Sequence, residues 1–360
     1  MTVHTEILLI AIAVSIACAI PGVFLVLRRM SMMADAITHT VFLGIVLAFF
    51  MTEDLNSPFL LVGATLVGVG TVWLTEMIHN TGLVNEDASI GIIFPLLFSI
   101  AIILVSLYSG NAHLDVDTAL LGEIAFAPFD RWIVNGTDLG PISLWISLGV
   151  ALINLILVML FYKELQLSTF DPLLAGLFGF MPVLIHYVLM TMVSLTVVAS
   201  FQAVGAILVI GLMIGPAAIA YLWTDSVKAM LTSSIIIGII CAVVGTEVAF
   251  TMDVSIAGSI ATTIGIALII AVIATPKTGY IATYRRQRHL RRHYRETMML
   301  CHIYTHMDTP IAQVENGIGT IHEHLNWRPD YTHQAASQLK KQGLLYVTNG
   351  HYVLTDKGIA

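Results

Sequence analysis

Charge is scarce in this chain: only 11% of its 360 residues are Asp, Glu, Lys or Arg, against about 25% in an ordinary soluble domain. That shortage excludes a water-soluble globular protein of the usual kind, because such a protein needs a charged surface. Cysteine is nearly absent too. Cys18, Cys241 and Cys301 are scattered, with no Cys-x-x-Cys pair, which excludes both a disulfide framework and a thiolate metal site. No basic residue precedes the first apolar run, so that run lacks the positive flank of a cleaved signal peptide and reads as a retained span. There is no Gly-x-x-x-x-Gly-Lys-Ser/Thr motif, so the chain does not itself carry a P-loop for ATP.

What is present is apolar sequence in quantity, 57% of all residues. Candidate spans fall at 6–27, 32–51, 58–78, 89–108, 142–162, 180–198, 202–223, 229–250 and 254–275, each close to the ~20 residues that cross a ~30 Å hydrocarbon core. Only Ala199-Ser200-Phe201 separates the sixth from the seventh. Either nine spans form, or eight form with one broken or re-entrant helix. Pro21, Pro95, Pro182 and Pro216 within the runs suit kinked, closely packed membrane helices. The texture changes at Pro276-Lys277. Residues 276–360 hold 11 of the 16 Lys and Arg but 6 of the 23 Asp and Glu, a tail of +5 behind a segment of −12.

Basic residues orient the spans. With Arg28 and Arg29 in the cytoplasm the N-terminus lies outside, and alternation then places Lys163, Lys228 and the basic tail inside. Arg131 alone falls outside, in an acidic segment at 109–141 that includes Asp115, Asp117, Glu123, Asp130 and Asp138. The loop at 79–88, expected inside, carries Glu86 and Asp87 without a Lys or Arg. Positive-inside retention accounts for the tail's charge; anionic lipid and nucleic acid are the other partners it suits.

Few ionisable residues lie inside the spans, and each needs a reason to be there. Asp35 and His39 are four apart near the start of the second span, so on a helix they stack one turn apart. A carboxylate and an imidazole so placed suit one divalent cation, or a hydrogen-bonded pair that staples helices. His186 enters from the same side. Asp35, His39 and His186 are the fourth, eighth and seventh residues of their spans, so at ~1.5 Å per residue the three share a depth and can meet. Glu76 sits near the cytoplasmic end of the third span, within reach of water. Glu247, nineteenth residue of the eighth, belongs near the outer surface, where it is solvated or forms an outer cation site with Asp253. Between the fifth and sixth spans, Asp171-Pro172 starts a short helix and Gly179 lies past its end. Leu173, Leu174 and Leu177 give that helix an apolar side, for a partner or for lipid.

Residues Leu27-Arg28-Arg29-Met30-Ser31 through Asp35 and His39, the Phe161–Pro172 loop, and Gln202-Ala203-Val204-Gly205 running on to Gly215-Pro216-Ala217-Ala218 together resemble the membrane permease subunits of ABC importers for manganese, zinc and iron. The resemblance covers nearly all of residues 6–275. It implies a transport subunit rather than an enzyme, with ATP hydrolysed by a separate cytoplasmic ABC ATPase. The ATPase would dock on the 163–179 loop, through Glu164, Phe170, Asp171 and Pro172. An extracellular or periplasmic metal-binding protein would deliver the ion to a permease homodimer, or a pair of similar permeases, in a prokaryotic plasma (inner) membrane. It also implies Asp35 and His39 as metal-site residues, with His186 matching the family's His-Tyr at the start of that span. The metal is cargo, and no permanently bound cofactor is expected.

The tail divides into a basic linker helix at 276–295 and a small domain at 296–360. Helices are expected at Glu296–Met307, Ile311–Gly317 and Tyr331–Gln342, followed by a hairpin turning at Asn349-Gly350. Three helices and a hairpin make a winged helix, so the fold class is an all-α polytopic membrane protein of eight or nine spans plus a small α+β cytoplasmic domain. Ala335-Ala336-Ser337-Gln338-Leu339-Lys340-Lys341-Gln342-Gly343-Leu344 with Leu354-Thr355-Asp356-Lys357-Gly358 resembles the N-terminal domain of diphtheria-toxin-repressor-type metal regulators. Arg328, Lys340 and Lys341 suit DNA, while a regulatory or assembly role suits the fold equally. Eight tail histidines include the close pairs His302/His306 and His322/His324, for which solvated helix positions are the commoner case. Two other classes fit parts of the chain: a membrane-anchored metal-responsive DNA-binding regulator, and a proton-coupled secondary metal transporter.

Overall fold

The computed structural model describes residues 2–53, 57, 59–108, 124–134, 137–275, 279–307 and 309–359. Asp115, Asp117 and Glu123 of the acidic segment, and the Pro276-Lys277 junction, lie outside the described residues. The chain divides into two compact units, Met1–Ile273 and Ala274–Ala360.

In the first unit, nine helices among the described residues are long and apolar enough to cross a membrane. They are α1 (Val3–Leu27), α2 (Ser31–Thr52), α3 (Phe59–His79), α4 (Glu86–Tyr108), α5 (Ile142–Leu160), α8 (Pro182–Val204), α9 (Ala206–Trp223), α10 (Val227–Met252) and α11 (Ile256–Ala274), with two short helices, α6 (Tyr162–Phe170) and α7 (Pro172–Leu177), after α5. Apolarity alone does not say which helix is central. α1 and α4 are similarly apolar, yet 78% of α1 is buried against 17% of α4. The outer face of α4, with Ile92, Leu96, Ile103 and Leu107 exposed, is unstable against water and suits lipid or another apolar surface.

Close packing around α1 depends on small residues. A Cβ on Gly22 would strike the carbonyl oxygen of Met213 on α9, so only glycine lets these two backbones approach. Polar side chains tie the bundle internally. Asn154 on α5 donates to the Ala17 carbonyl at 3.1 Å and to Thr196 Oγ1 at 2.7 Å, while Thr71 on α3 donates to Thr40 on α2 at 2.8 Å. Cys18 and Cys241 are free and buried, as small core residues. Pro21, Pro95 and Pro216 lie inside helices, whereas Pro182 occupies the first turn of α8, where its missing N–H costs nothing.

The junction between the sixth and seventh spans is a single residue. α8 runs through Ala199-Ser200-Phe201 to Val204, and Gly205 breaks it at φ 78° and ψ 166°, a conformation essentially restricted to glycine. Among the described residues nine spanning helices follow, rather than eight.

Side chains gather at two ends. At one, the buried Glu6 receives both Arg131 terminal nitrogens at 3.1 and 3.2 Å, and Arg131 Nε lies 2.6 Å from Asp138. Arg131 and Asp138 belong to a hairpin, β1 (Arg131–Val134) and β2 (Thr137–Pro141). The Glu6 carboxylate, ahead of Asp138, holds the Arg131 pKa above its ordinary value. The Gly140 N–H and then Arg131 hold the Asp138 carboxyl below its own. At the other end lie Arg28, α6, α7 and the start of α8.

The second unit has its own core. α12 runs unbroken from Tyr280 to His306, so the expected linker helix and first tail helix are one element. Short helices α13 (Ala312–Glu315) and α14 (Ile321–His324) follow, then α15 (Pro329–Lys341), a hairpin of β3 (Leu345–Thr348) and β4 (His351–Leu354), and α16 (Asp356–Ile359). The strands pair Leu345 with Leu354 and Thr348 with His351. Asn349 and Gly350 both have positive φ, as a two-residue I′ turn requires. Met299, Ile303, Ile321, Leu339, Leu345 and Leu354 form the core, which places one face of α12 against α15 and the hairpin.

Candidate functional site

Asp35 and His39 are set by α2 alone. Asp35 Oδ1 lies 3.5 Å from His39 Nε2 across one helical turn, and the pair is half-exposed although Met33, Ala34, Ala36 and Ile37 around it are buried. Two α4 rings flank the imidazole, Phe94 at 5.5 Å and Phe98 at 5.9 Å between centroids. The pair offers one oxygen and one nitrogen donor on an accessible face of an otherwise apolar helix.

The depth match allows Asp35, His39 and His186 to meet, or His186 to bond to a neighbouring helix; the structure forms two pairs. His186, in the first turns of α8, lies with Nε2 2.7 Å from Glu76 Oε1 on α3. Tyr187 donates its hydroxyl to the other Glu76 oxygen at 2.8 Å. Glu76, expected to face cytoplasmic water, is thus engaged by two consecutive residues of α8. Among the described residues no group of three or more His, Cys, Asp or Glu side chains is already arranged to hold a metal ion.

Arg28 joins this second pair to the α6–α7 segment. The residue caps α1, and its guanidinium lies 3.1 Å from His186 Nδ1 while donating to Ser168 Oγ at 2.7 Å and Thr169 Oγ1 at 3.2 Å, both on α6. Burial pulls its pKa below the ordinary value. One side chain therefore bridges α1, α6 and α8. Beside it opens a cavity of about 630 Å3 bordered by Arg28, Glu76, Ser168, Leu173, His186 and Tyr187.

The α6–α7 segment forms as Asp171-Pro172 leads one to expect. Asp171 Oδ1 accepts the Leu174 N–H at 2.9 Å as N-cap, Pro172 opens α7, and Gly179 follows with φ 84°. Glu164 and Phe170 lie on α6, which the sequence reading leaves as loop. Leu173, Leu177 and Phe170 are exposed at 84, 86 and 62%, an uncovered apolar ridge. At the far end Glu247 pairs with His4 at 3.3 Å rather than with Asp253, which caps α10 in the left-handed region.

Glu76, Tyr187 and Arg28 are the members of this network that a site search by sequence passes over. The usable signal is an acid and an imidazole at matching depth in two spans, Glu76 near the end of one and His186 near the start of another.

The comparisons agree on one family. The model described as "ABC 3 transport family" matches residues 2–275. The chain is 41% identical over 356 residues to the zinc transport system membrane protein TroD of Treponema pallidum (strain Nichols), covering 99% of this chain and 96% of that protein. It is 43% identical over 281 residues to the manganese transport system membrane protein MntD of Bacillus subtilis (strain 168), covering 78% and 95%. Among solved structures it is similar to PsaBC from Streptococcus pneumoniae in complex with Fab, with a TM-score of 0.66, 29% identity, and 79% and 96% of the two chains covered.

Proposed function

This chain belongs to the ABC 3 transport family, and from that premise we propose how it works as the integral membrane permease subunit of an ABC importer for manganese or zinc. The N-terminus lies outside and the tail in the cytoplasm of a prokaryotic inner membrane, an orientation supported by Arg28, Arg29, Lys163 and Lys228 collecting on one side. A metal-binding protein outside releases the ion to a paired permease. Asp35 and His39 receive it, and the half-exposed face of α2 suits a site completed by a second permease. His186, with Glu76, forms a further cation station at a similar depth. Two sites of few ligands suit transport, which requires binding strong enough to admit an ion and weak enough to release it. Carboxylate and imidazole without thiolate accept Mn2+, Fe2+ and Zn2+ alike.

The ATPase docks on α6–α7, with Glu164, Phe170, Asp171 and Pro172 in the contact and Leu173 and Leu177 filling its groove. Residues 1–275 form the permease, and residues 296–360 form a winged helix that begins within α12. The α12–α15 core and the β3–β4 hairpin support that fold, and a regulatory or assembly role suits it.

The observation that carries the transport site is the Asp35–His39 pair, an ionisable couple left accessible inside an apolar span. Radioactive Mn2+ or Zn2+ uptake into proteoliposomes holding the full complex tests it. Asp35→Ala and His39→Ala are each expected to lower uptake at least ~10-fold while the complex still assembles and hydrolyses ATP. Unchanged uptake in an assembled complex would reject the site.

A further inference from the structure

The C-terminal unit concentrates a second set of metal-ligating groups that the transport reading does not use. His302 and His306 stand one turn apart on α12 with ring centroids 4.7 Å apart, the spacing by which two imidazoles on one helix face share an ion. Glu315, the last residue of α13, brings Oε2 to 2.5 Å from His306 Nδ1, and its backbone carbonyl lies 3.4 Å from His302 Nε2. His324, the last residue of α14, stacks against His302 with centroids 6.1 Å apart and planes at 28°. Three imidazoles and a carboxylate from three elements that are separate in sequence are therefore linked as successive neighbours, His324 to His302 to His306 to Glu315.

The bland explanation is a His306–Glu315 ion pair with two solvated neighbours. It accounts for one contact of the four. It does not account for His302, which is partly buried with two other imidazoles against it.

We propose that His302, His306, Glu315 and His324 form a binding site for a divalent transition cation, independent of the membrane pathway. Three nitrogens of intermediate softness and one carboxylate suit a Zn2+-like ion in four-coordinate geometry, with bonds of about 2.0–2.2 Å. The four side chains are neighbours that have not closed around one point, so binding draws them inward by rotation about their side-chain torsions. The His306–Glu315 contact opens into a shared bond to the ion. Occupancy then fastens α13 and α14 to α12, which makes the packing of this unit sensitive to cation concentration.

The test uses the full-length chain in detergent with Asp35→Ala, His39→Ala and His186→Ala introduced, so that neither pathway station contributes, and Co2+ as the probe. The site is expected to bind about one ion per chain with the intense visible bands of a tetrahedral nitrogen and oxygen environment. His324→Gln, at an exposed ring, and His306→Gln should each weaken Co2+ binding at least ~10-fold, and Zn2+ should bleach the bands. Thermal unfolding without metal, unchanged in the His324→Gln chain, secures the comparison. Absence of the bands, or an affinity in the His306→Gln or the His324→Gln chain equal to that of the chain with all four tail residues intact, would overturn the assignment. Neither result bears on the transport site, which the uptake assay tests separately.

Discussion

At the scale of single residues, Arg28 has the most consequential position. It reaches Ser168 and Thr169 on α6 and His186 on α8 at once, so under the proposed docking a displacement of α6 would be felt at the imidazole facing Glu76. A planar fork of donors serves three acceptors in a way that the point charge of lysine does not. Arg28→Ala is therefore expected to leave ATP hydrolysis in place while metal transported per ATP falls by about 5- to 150-fold, the range of a coupling free energy of ~1–3 kcal/mol. Arg28→Lys should be intermediate. Measuring both rates in the same proteoliposomes checks it, and a wild-type ratio in Arg28→Ala would remove Arg28 from the coupling route. The sequence marks this arginine through its charge and its place beside a span, but charge at a membrane face has a ready explanation in topology. Its three partners are 140 or more residues away along the chain and become visible only with the fold.

At the scale of elements, span existence is legible because about 20 consecutive apolar residues have few other uses. The ends of spans are legible to within a few residues. Two features escape that reading. Hydropathy is continuous across residues 180–223, so the break between α8 and α9 is expected at Ala199-Ser200-Phe201, whereas the conformation that makes it belongs to Gly205. Depth along a helix is also computable from sequence, but the direction in which a side chain faces is not. Hence His186 matches Asp35 and His39 in depth and turns instead to Glu76 on α3. Local chemistry fares better, and Asp171 caps α7 as its Asp-Pro sequence implies. α7 carries its own prediction. Leu173 and Leu177 lie one turn apart and almost fully exposed, an apolar ridge of the kind that anchors an interface when a groove covers it. Changing both to Asp should abolish co-purification of the ATPase with the permease, and each Ala variant should weaken it by about 2 kcal/mol or more. Retention of the ATPase by the double Asp variant would move the docking surface elsewhere.

At the scale of the whole molecule, two units with separate cores ask whether transport needs both. The Bacillus subtilis relative is matched over 95% of its length by 78% of this chain, whereas the Treponema pallidum relative is matched through 99% of it. A protein of this family thus exists at close to the length of the first unit. Three key polar groups of that unit find partners within it: Glu6 with Arg131, Asn154 with Ala17 and Thr196, and Arg28 with Ser168 and His186. Each of these contacts lies within the first unit, so removing the tail leaves them in place. A chain ending at Thr275 is therefore expected to insert, to assemble with the ATPase and to import metal within about twofold of the full-length rate, a change of less than ~0.5 kcal/mol. What it should lose is any dependence of ATP hydrolysis on cytoplasmic Zn2+, because the His302, His306, Glu315 and His324 cluster leaves with the tail. Comparing the two chains at fixed external metal and graded internal Zn2+ checks this. Collapse of import in the shortened chain at every Zn2+ level would make the tail a part of the transport machine rather than a regulator of it.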